Sequence, residues 1–218
     1  YGIYPLDTIN FPITYLAKDP NTIRFRPLGF DEEMLAADVL ERHPKGKSYQ
    51  HLTESWKAFP FFIDAKKNVM CMLPFTNSND TGKVDENTTE VFIECTGTDL
   101  ANVQVALNII TTALADWGGE IESIEVVYPD KKIITPNLQP KPMALDLPFI
   151  NKRLGLLLSE TEAMALLKRM GYDCEKGTVL IPAYRADILH QADLMEDIAI
   201  AYGYENFEAS IPNVATIG

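Results

Sequence analysis

The sequence lacks an apolar run long enough to cross a membrane as a helix, and it has little positive charge. Nineteen Lys and Arg residues stand against 31 Asp and Glu residues, which gives a net charge of -12. A protein that binds nucleic acid by itself normally carries a basic patch, because contacts with phosphates supply much of its affinity. The chain is therefore not expected to hold a nucleic acid unaided, and no membrane partner is expected.

Cysteine is also scarce. Cys71, Cys95 and Cys174 are widely spaced and form no CxxC pair, so a disulfide framework and a zinc site are both disfavoured. The opening residues 1–10 mix aromatic, proline and acidic residues, and no signal peptide is expected there. A reducing, cytoplasmic location is therefore expected.

The remaining composition is that of a globular protein, with 218 residues of which 46% are hydrophobic. Three prolines fall within residues 135–142 and predict a boundary between two domains, 1–140 and 141–218. The predicted fold class is α+β. The first domain is expected to be a mixed or antiparallel β-sheet packed with helices, and the second a small α/β domain of winged-helix-like proportions.

Capping signals and hydrophobic periodicity predict four helices, over 31–40, 99–117, 159–170 and 188–202. Asp31 is a candidate N-cap for the first helix, and Thr98 or Asp99 for the second. Ser159 with Glu162 three residues later forms a capping-box pattern at the start of the third. Apolar or alternating runs predict the strands, mainly at 59–63, 69–73, 90–96, 121–128 and 179–182.

A first group of chemically useful residues lies where the strand 90–96 meets the second helix. Glu94 and Thr96 are two residues apart and share one face of the strand, while Gly97 and Thr98 follow at the helix start. Unpaired amides at a helix start suit an oxyanion or a carboxylate. The alternative, a helix cap beside an exposed strand face, is the more common origin of such a pattern.

A second group lies on the last predicted helix. Asp193, Glu196 and Asp197 are spaced i, i+3 and i+4, so that three carboxylates share one surface, and Asp187 lies at the entry to the helix. Carboxylates this close repel one another unless a cation neutralises them, and ligands that are all oxygen favour Mg²⁺ or Ca²⁺. The alternative is a solvated acidic face.

Both groups belong to longer runs that resemble one known family. VFIECTGTD at 91–99 closely resembles a segment of the phenylalanyl-tRNA synthetase β subunit of the archaeal and eukaryotic cytosolic type. IPAYRADILH at 181–190 and DLMEDIAIAYGY at 193–204 resemble the same subunit further along, and GIYPLD at 2–7 is also similar. The resemblance implies an internal piece of a longer subunit. Residues 1–140 would be an editing domain of the tRNA-binding B3/B4 type with an N-terminal connecting segment, and 141–218 a small B5-type domain.

The resemblance implies hydrolytic editing, the removal of tyrosine wrongly attached to the phenylalanine tRNA. Tyrosine exceeds phenylalanine by one hydroxyl, which an apolar pocket rejects only about a hundredfold. The resemblance assigns catalytic roles to Glu94, Thr96 and Asn77. It assigns substrate binding to Phe62, Cys71, Gly97 and Thr98.

Each of these residues has an expected role. Glu94 would accept a hydrogen bond from the tyrosine hydroxyl, Phe62 would pack against its ring, and Thr96 and Asn77 would position the ester or the attacking water. Backbone amides near Gly97 and Thr98 would stabilise the developing oxyanion. A departure from the family is Cys71, which stands where serine is common, because a thiol is a poorer hydrogen-bond partner than a hydroxyl.

The resemblance also implies a cofactor and partners. Mg²⁺ would be held in a site shared with the α subunit by four carboxylates, those of Asp187, Asp193, Glu196 and Asp197. The family works as an α2β2 enzyme whose aminoacylation site lies in α, so ATP is expected to be used by the holoenzyme only. The expected partners are the α subunit and the phenylalanine tRNA, and the chain alone is not expected to charge tRNA.

Two alternatives remain open. The first is a non-catalytic structural module that docks the α subunit and tRNA, which the altered loop at 73–76 favours. The second is a freestanding nucleic-acid-binding module, which the net charge of -12 disfavours.

Overall fold

A computed structural model describes residues 1–208. The chain divides into two compact units, Tyr1–Thr96 and Gly97–Gly218. Both combine helices with antiparallel sheets, which confirms the predicted α+β class. No helix among the described residues is both long and apolar enough to cross a membrane.

The first unit consists mainly of short strands with two short helices between them. In chain order these elements are β1 (Gly2–Pro5), β2 (Thr14–Lys18), β3 (Arg24–Phe25), β4 (Met34–Leu35), α1 (Ala36–Arg42), α2 (Pro44–Tyr49), β5 (Phe59–Ile63), β6 (Val69–Met72), β7 (Thr76–Asn77) and β8 (Val91–Glu94). The central sheet is antiparallel in the order β2-β5-β6-β7. Two smaller ribbons join β1 to β8 and β3 to β4.

Apolar residues of β5 point to alternate sides of the central sheet and pack on both of them. Phe59, Phe61 and Ile63 pack into the larger core cluster, together with residues of α1 such as Val39. Phe62 points to the opposite face and packs with a smaller cluster around Tyr4 and Cys71. A register shift between Phe62 and Ile63 turns the strand where this smaller cluster forms.

The second unit begins with the longest helix of the chain. Its elements are α3 (Leu100–Asp116), β9 (Ile124–Val127), β10 (Lys132–Thr135), β11 (Lys141–Ala144), α4 (Leu147–Leu154), α5 (Glu160–Arg169), β12 (Asp173–Glu175), β13 (Thr178–Ile181) and α6 (Gln191–Tyr202). β9 and β10 form a hairpin, and a second antiparallel sheet has the order β11-β13-β12. Residues of α4, α5 and α6 pack with β13 around Leu167, Val179 and Ile198.

Local capping signals located two of the helix starts. The Asp99 carboxylate accepts a hydrogen bond from the Asn102 amide at the start of α3. Ser159 and Glu162 form the predicted capping box at the start of α5. These interactions span only three residues, so the sequence specifies them directly.

The predicted helix over 31–40 was wrong in its first half. Met34 and Leu35 instead form β4, which pairs with Arg24 and Phe25, and the helix begins only at Ala36. Pairing with a strand about ten residues earlier has therefore overridden the N-cap signal at Asp31. The last helix also begins later than predicted, at Gln191, where His190 caps it.

The two compact units divide after Thr96, whereas the sequence predicts domains at 1–140 and 141–218. One reason is the buried amide of Asn108 on α3. Its Nδ2 donates to the carbonyl oxygens of Asn137 at 2.9 Å and of Ala183 at 3.1 Å. These bonds tie α3 to segments that follow it in the chain, while the domain prediction itself stays a prediction.

Candidate active site

Three predicted site residues lie in one row across the central sheet. Phe62 on β5 is paired with Cys71 on β6, and Cys71 is paired with Asn77 on β7. Residues directly opposite each other on antiparallel strands point to the same face, so these side chains are neighbours. Tyr15 on β2 extends the row, since it pairs with Phe62 and the two ring centroids are 5.0 Å apart.

The ribbon of β1 and β8 adds Glu94 and Tyr4 to this row. Glu94 ends β8 and is paired with Gly2 on β1. The Tyr4 hydroxyl lies 3.2 Å from Asn77 Oδ1 and 3.5 Å from Glu94 Oε1. The structure therefore brings together Phe62, Cys71, Asn77 and Glu94, although strands far apart in the sequence carry them.

The Glu94 carboxylate has fewer hydrogen-bond donors around it than it can accept. Its residue is only 5% exposed, and among residues 1–208 the carboxylate accepts a hydrogen bond from the Tyr4 hydroxyl, whose single proton also faces Asn77. Among residues 1–208, nothing donates a hydrogen bond to Glu94 Oε2, which is also buried. A buried acceptor left without a donor costs about 1–3 kcal/mol, and more when it is charged.

Burial controls protonation throughout this site. It raises the pKa of Glu94, an effect that the hydrogen bond from Tyr4 partly offsets. It also raises the pKa of the Tyr4 phenol, with the neighbouring Cys71 and Glu94 adding to the effect. Burial raises the pKa of the Cys71 thiol to about 12, so Cys71 stays protonated at neutral pH and is not an activated nucleophile.

The other three predicted residues of this site follow β8 in the chain. Thr96 is half-buried in the irregular stretch after β8 and ends the first unit. Gly97 and Thr98 are exposed and lie at the start of the second unit, ahead of the Asp99 cap. The roles assigned to these three residues stay predictions.

Sequence reasoning missed Gly2, Tyr4 and Tyr15 as members of this site. The resemblance at residues 2–7 drew attention to the segment but gave it no chemical role. A strand of four residues carries no local signal for the partner it will pair with, so only the long-range β1–β8 pairing places Tyr4 beside Glu94.

The carboxylates of the predicted metal group have separate partners in the second unit. Asp197 is buried, and its Oδ2 accepts hydrogen bonds from the Tyr172 hydroxyl and from Arg185 Nη1, the latter at 2.9 Å. The other side of the same guanidinium binds Asp187. Arg185 Nε donates to Asp187 Oδ1 at 2.9 Å, and Nη2 donates to Oδ2 at 2.6 Å. These bonds keep the pKa of Asp187 below its usual range.

Asp193 and Glu196 have different surroundings. Asp193 Oδ2 accepts from the backbone amides of Leu189 and His190, both at 2.7 Å, which lowers the pKa of Asp193. Glu196 is exposed. Across residues 1–208, no group of three or more His, Cys, Asp or Glu side chains is placed to hold one metal ion. This arrangement does not fit a metal held by the chain alone, and the magnesium site stays a prediction.

Comparison with known proteins identifies the class first. Residues 143–204 match the family described as the tRNA synthetase B5 domain, a range that begins within β11 and ends just after α6. The chain thus contains a domain characteristic of tRNA synthetases, and this match begins close to the predicted boundary at 140.

Full-length relatives and a solved structure identify the family. The chain is 44% identical over 221 residues to the phenylalanine–tRNA ligase β subunit of Thermococcus gammatolerans and 45% identical to that of Archaeoglobus fulgidus, and all of the chain is covered in both cases. It spans 39% and 40% of the length of these relatives. The crystal structure of an N-terminal fragment of the phenylalanyl-tRNA synthetase β subunit from Pyrococcus horikoshii superposes with a TM-score of 0.88 at 43% identity, covering 93% of this chain and 59% of that one. The chain belongs to the family of phenylalanine–tRNA ligase β subunits, as the resemblance predicts.

Proposed function

We propose that the site around Glu94 hydrolyses tyrosine from wrongly charged phenylalanine tRNA. The observation that carries this proposal is Glu94 Oε2, a buried carboxylate oxygen for which residues 1–208 provide no donor. The phenol of tyrosine supplies the missing proton, whereas phenylalanine leaves the oxygen unpaired. Satisfying a buried charged acceptor is worth about 1.5–3 kcal/mol, which alone gives roughly a 10- to 150-fold preference for tyrosine.

Packing adds to this preference. The half-buried ring of Phe62 lies in the same row as Cys71 and Asn77, so an aromatic ligand whose hydroxyl reaches Glu94 would pass over apolar surface. Oδ1 of Asn77 faces Tyr4, and within residues 1–208 its amide nitrogen donates no hydrogen bond, so its hydrogens can serve a ligand. We assign Phe62 to the ring and Asn77 to the ester or the attacking water.

Positioning would supply most of the rate in this site. Cys71 stays protonated and Glu94 is assigned to the ligand's hydroxyl, so neither is available to activate water. Holding a water molecule and an ester in attack geometry can by itself contribute several kcal/mol. Thr96 is assigned to this task with Asn77.

The test uses the complete synthetase with tyrosyl- and phenylalanyl-tRNA as substrates. Wild type is expected to release tyrosine faster than phenylalanine, and Glu94→Ala to lose that difference while still attaching phenylalanine to tRNA. Asp7→Ala on the same first unit is the matched loss of a carboxylate outside the site. Tyrosine release that is the same in Glu94→Ala as in wild type would contradict the proposal.

The activity of the whole enzyme is a further part of the proposal. As a portion of a β subunit, the chain would support an α2β2 ligase that attaches phenylalanine to its tRNA with ATP, the chemistry being carried out in the α subunit. The net charge of -12 agrees with tRNA being held mainly by other parts of that enzyme.

Docking of the α subunit is the second candidate function. It is favoured by large apolar side chains exposed on the second unit, among them Trp117, Leu157 and Leu189. Covering exposed apolar side chains with a partner removes them from water, which is favourable. Loss of α-subunit binding in Leu157→Asp and Leu189→Asp, with that binding intact in Glu94→Ala, would separate this role from editing.

A further inference from the structure

We propose that Tyr4 and Gly2 of β1 set the selectivity of the Glu94 site, with Tyr4 as a positioning residue that fixes one carboxylate oxygen and Gly2 as the gap that leaves room beside it. This inference rests on the editing function proposed above.

Tyr4 fixes the orientation of the carboxylate. Its residue is fully buried, and its hydroxyl contacts Glu94 Oε1 at 3.5 Å and Asn77 Oδ1 at 3.2 Å. The hydroxyl has one proton and faces both acceptors, so it can donate to Glu94 Oε1 or to Asn77 Oδ1. Glu94 Oε1 therefore faces a donor within the protein, whereas Oε2 faces none among residues 1–208 and is the oxygen we assign to the ligand.

Gly2 provides the space in which this arrangement fits. It lies opposite Glu94 in the β1–β8 ribbon, so a side chain at position 2 would point to the same face as the carboxylate. A Cβ atom there would lie 2.6 Å from the Tyr4 hydroxyl oxygen and 2.8 Å from Glu94 Oε1. Both neighbouring side chains belong to buried residues, and at these distances at least one of them would have to shift to admit the added atom.

The two residues together explain how one carboxylate can select a hydroxylated ring. Without the Tyr4 hydroxyl, the carboxylate could rotate and neither of its oxygens would be held toward the ligand. With a side chain at position 2, the carboxylate or the Tyr4 ring would be displaced. The predicted consequence is a loss of selectivity for tyrosine rather than a general loss of hydrolysis.

The experiment compares Tyr4→Phe with wild type in the complete enzyme, under single-turnover conditions. Tyr4→Phe keeps the ring and removes only the hydroxyl. The rate constant for tyrosyl-tRNA is expected to fall about tenfold, while that for phenylalanyl-tRNA stays within twofold, because phenylalanine offers Glu94 no hydroxyl. Tyr49→Phe on α2 is the matched control and is expected to behave as wild type.

Gly2→Ala is the second variant and is expected to lose at least as much tyrosine selectivity as Tyr4→Phe. Equal losses on both substrates in Tyr4→Phe would indicate a packing defect and would overturn the inference. The inference would also be overturned if Tyr4→Phe and Gly2→Ala both kept wild-type rates while Glu94→Ala lost editing. In that case the proposed function would stand. An enzyme that releases no tyrosine even as wild type would overturn both.

Discussion

Removing the Arg185 guanidinium is expected to destabilise the second unit strongly, because Arg185 neutralises a buried carboxylate. The side chains of Arg185 and Asp197 are only 20% and 8% exposed, and Nη1 lies 2.9 Å from Oδ2. Arg185→Met keeps most of the aliphatic stem and leaves the Asp197 charge with only the Tyr172 hydroxyl as partner.

The size of the destabilisation follows from how deeply each of the two ion pairs of Arg185 is buried. Breaking a buried ion pair by removing one partner typically costs about 3–5 kcal/mol, and the partial exposure of Arg185 points to the lower end, about 3 kcal/mol. Losing the ion pair with Asp187 adds less than about 1 kcal/mol, because the Asp187 side chain is 64% exposed. A loss of about 3 kcal/mol corresponds to roughly a hundredfold change in an equilibrium constant.

Amide hydrogen exchange followed by mass spectrometry measures this loss where it occurs. Peptides from α6 are expected to lose protection by roughly a hundredfold in Arg185→Met, while β5 and β6 of the first unit keep theirs. Lys132→Met is the matched control, because Lys132 pairs with Glu125 at 2.8 Å but the two side chains are 63% and 47% exposed. Protection of α6 that is no lower in Arg185→Met than in Lys132→Met would refute the reasoning.

Three further predictions concern ionisation and metal binding. The chain by itself is expected to bind Mg²⁺ weakly, since Arg185 and backbone amides already occupy Asp187, Asp197 and Asp193; a submillimolar dissociation constant by calorimetry would contradict this. The pKa values of Asp187 and Asp193 are lowered in the folded protein, so both carboxylates stabilise it above the unfolded-state pKa of about 3.9, and this stabilisation is lost as the pH falls further. The thermal midpoint of the second unit should therefore drop between about pH 5 and 3, and it should drop less in Asp193→Asn. The pKa of Glu94 is raised in the folded protein, so its contribution to stability is greatest below the unfolded-state pKa of about 4.3 and is lost as the pH rises. Glu94→Gln should therefore raise the thermal unfolding midpoint of the first unit at pH 7, and a lower midpoint would contradict this.

Local interactions were the part of the fold that the sequence specified most directly. The Asp99 cap and the capping box of Ser159 and Glu162 involve residues three apart, so their signals are complete within one turn of chain. The first helix was misplaced because the pairing of Met34 with Phe25 depends on a strand that local propensity does not reveal.

The candidate site depends on pairings between distant strands, which explains what was missed. Phe62, Cys71 and Asn77 were predicted through family resemblance, and the registers of β5, β6 and β7 bring them together. Tyr4 was missed because 90 residues separate it from Glu94. The acidic spacing on α6 was read correctly as helical, but the sequence does not reveal that Tyr172 and Arg185 reach Asp197.

A crystal structure of the complete enzyme with a non-hydrolysable tyrosyl ester of adenosine tests the central claim most directly. The phenol oxygen is expected within about 2.5–3.0 Å of Glu94 Oε2, with the ring over Phe62 and the Tyr4 hydroxyl still facing Oε1. A tyrosyl ring bound elsewhere, or bound here with its hydroxyl directed away from Glu94, would contradict the account.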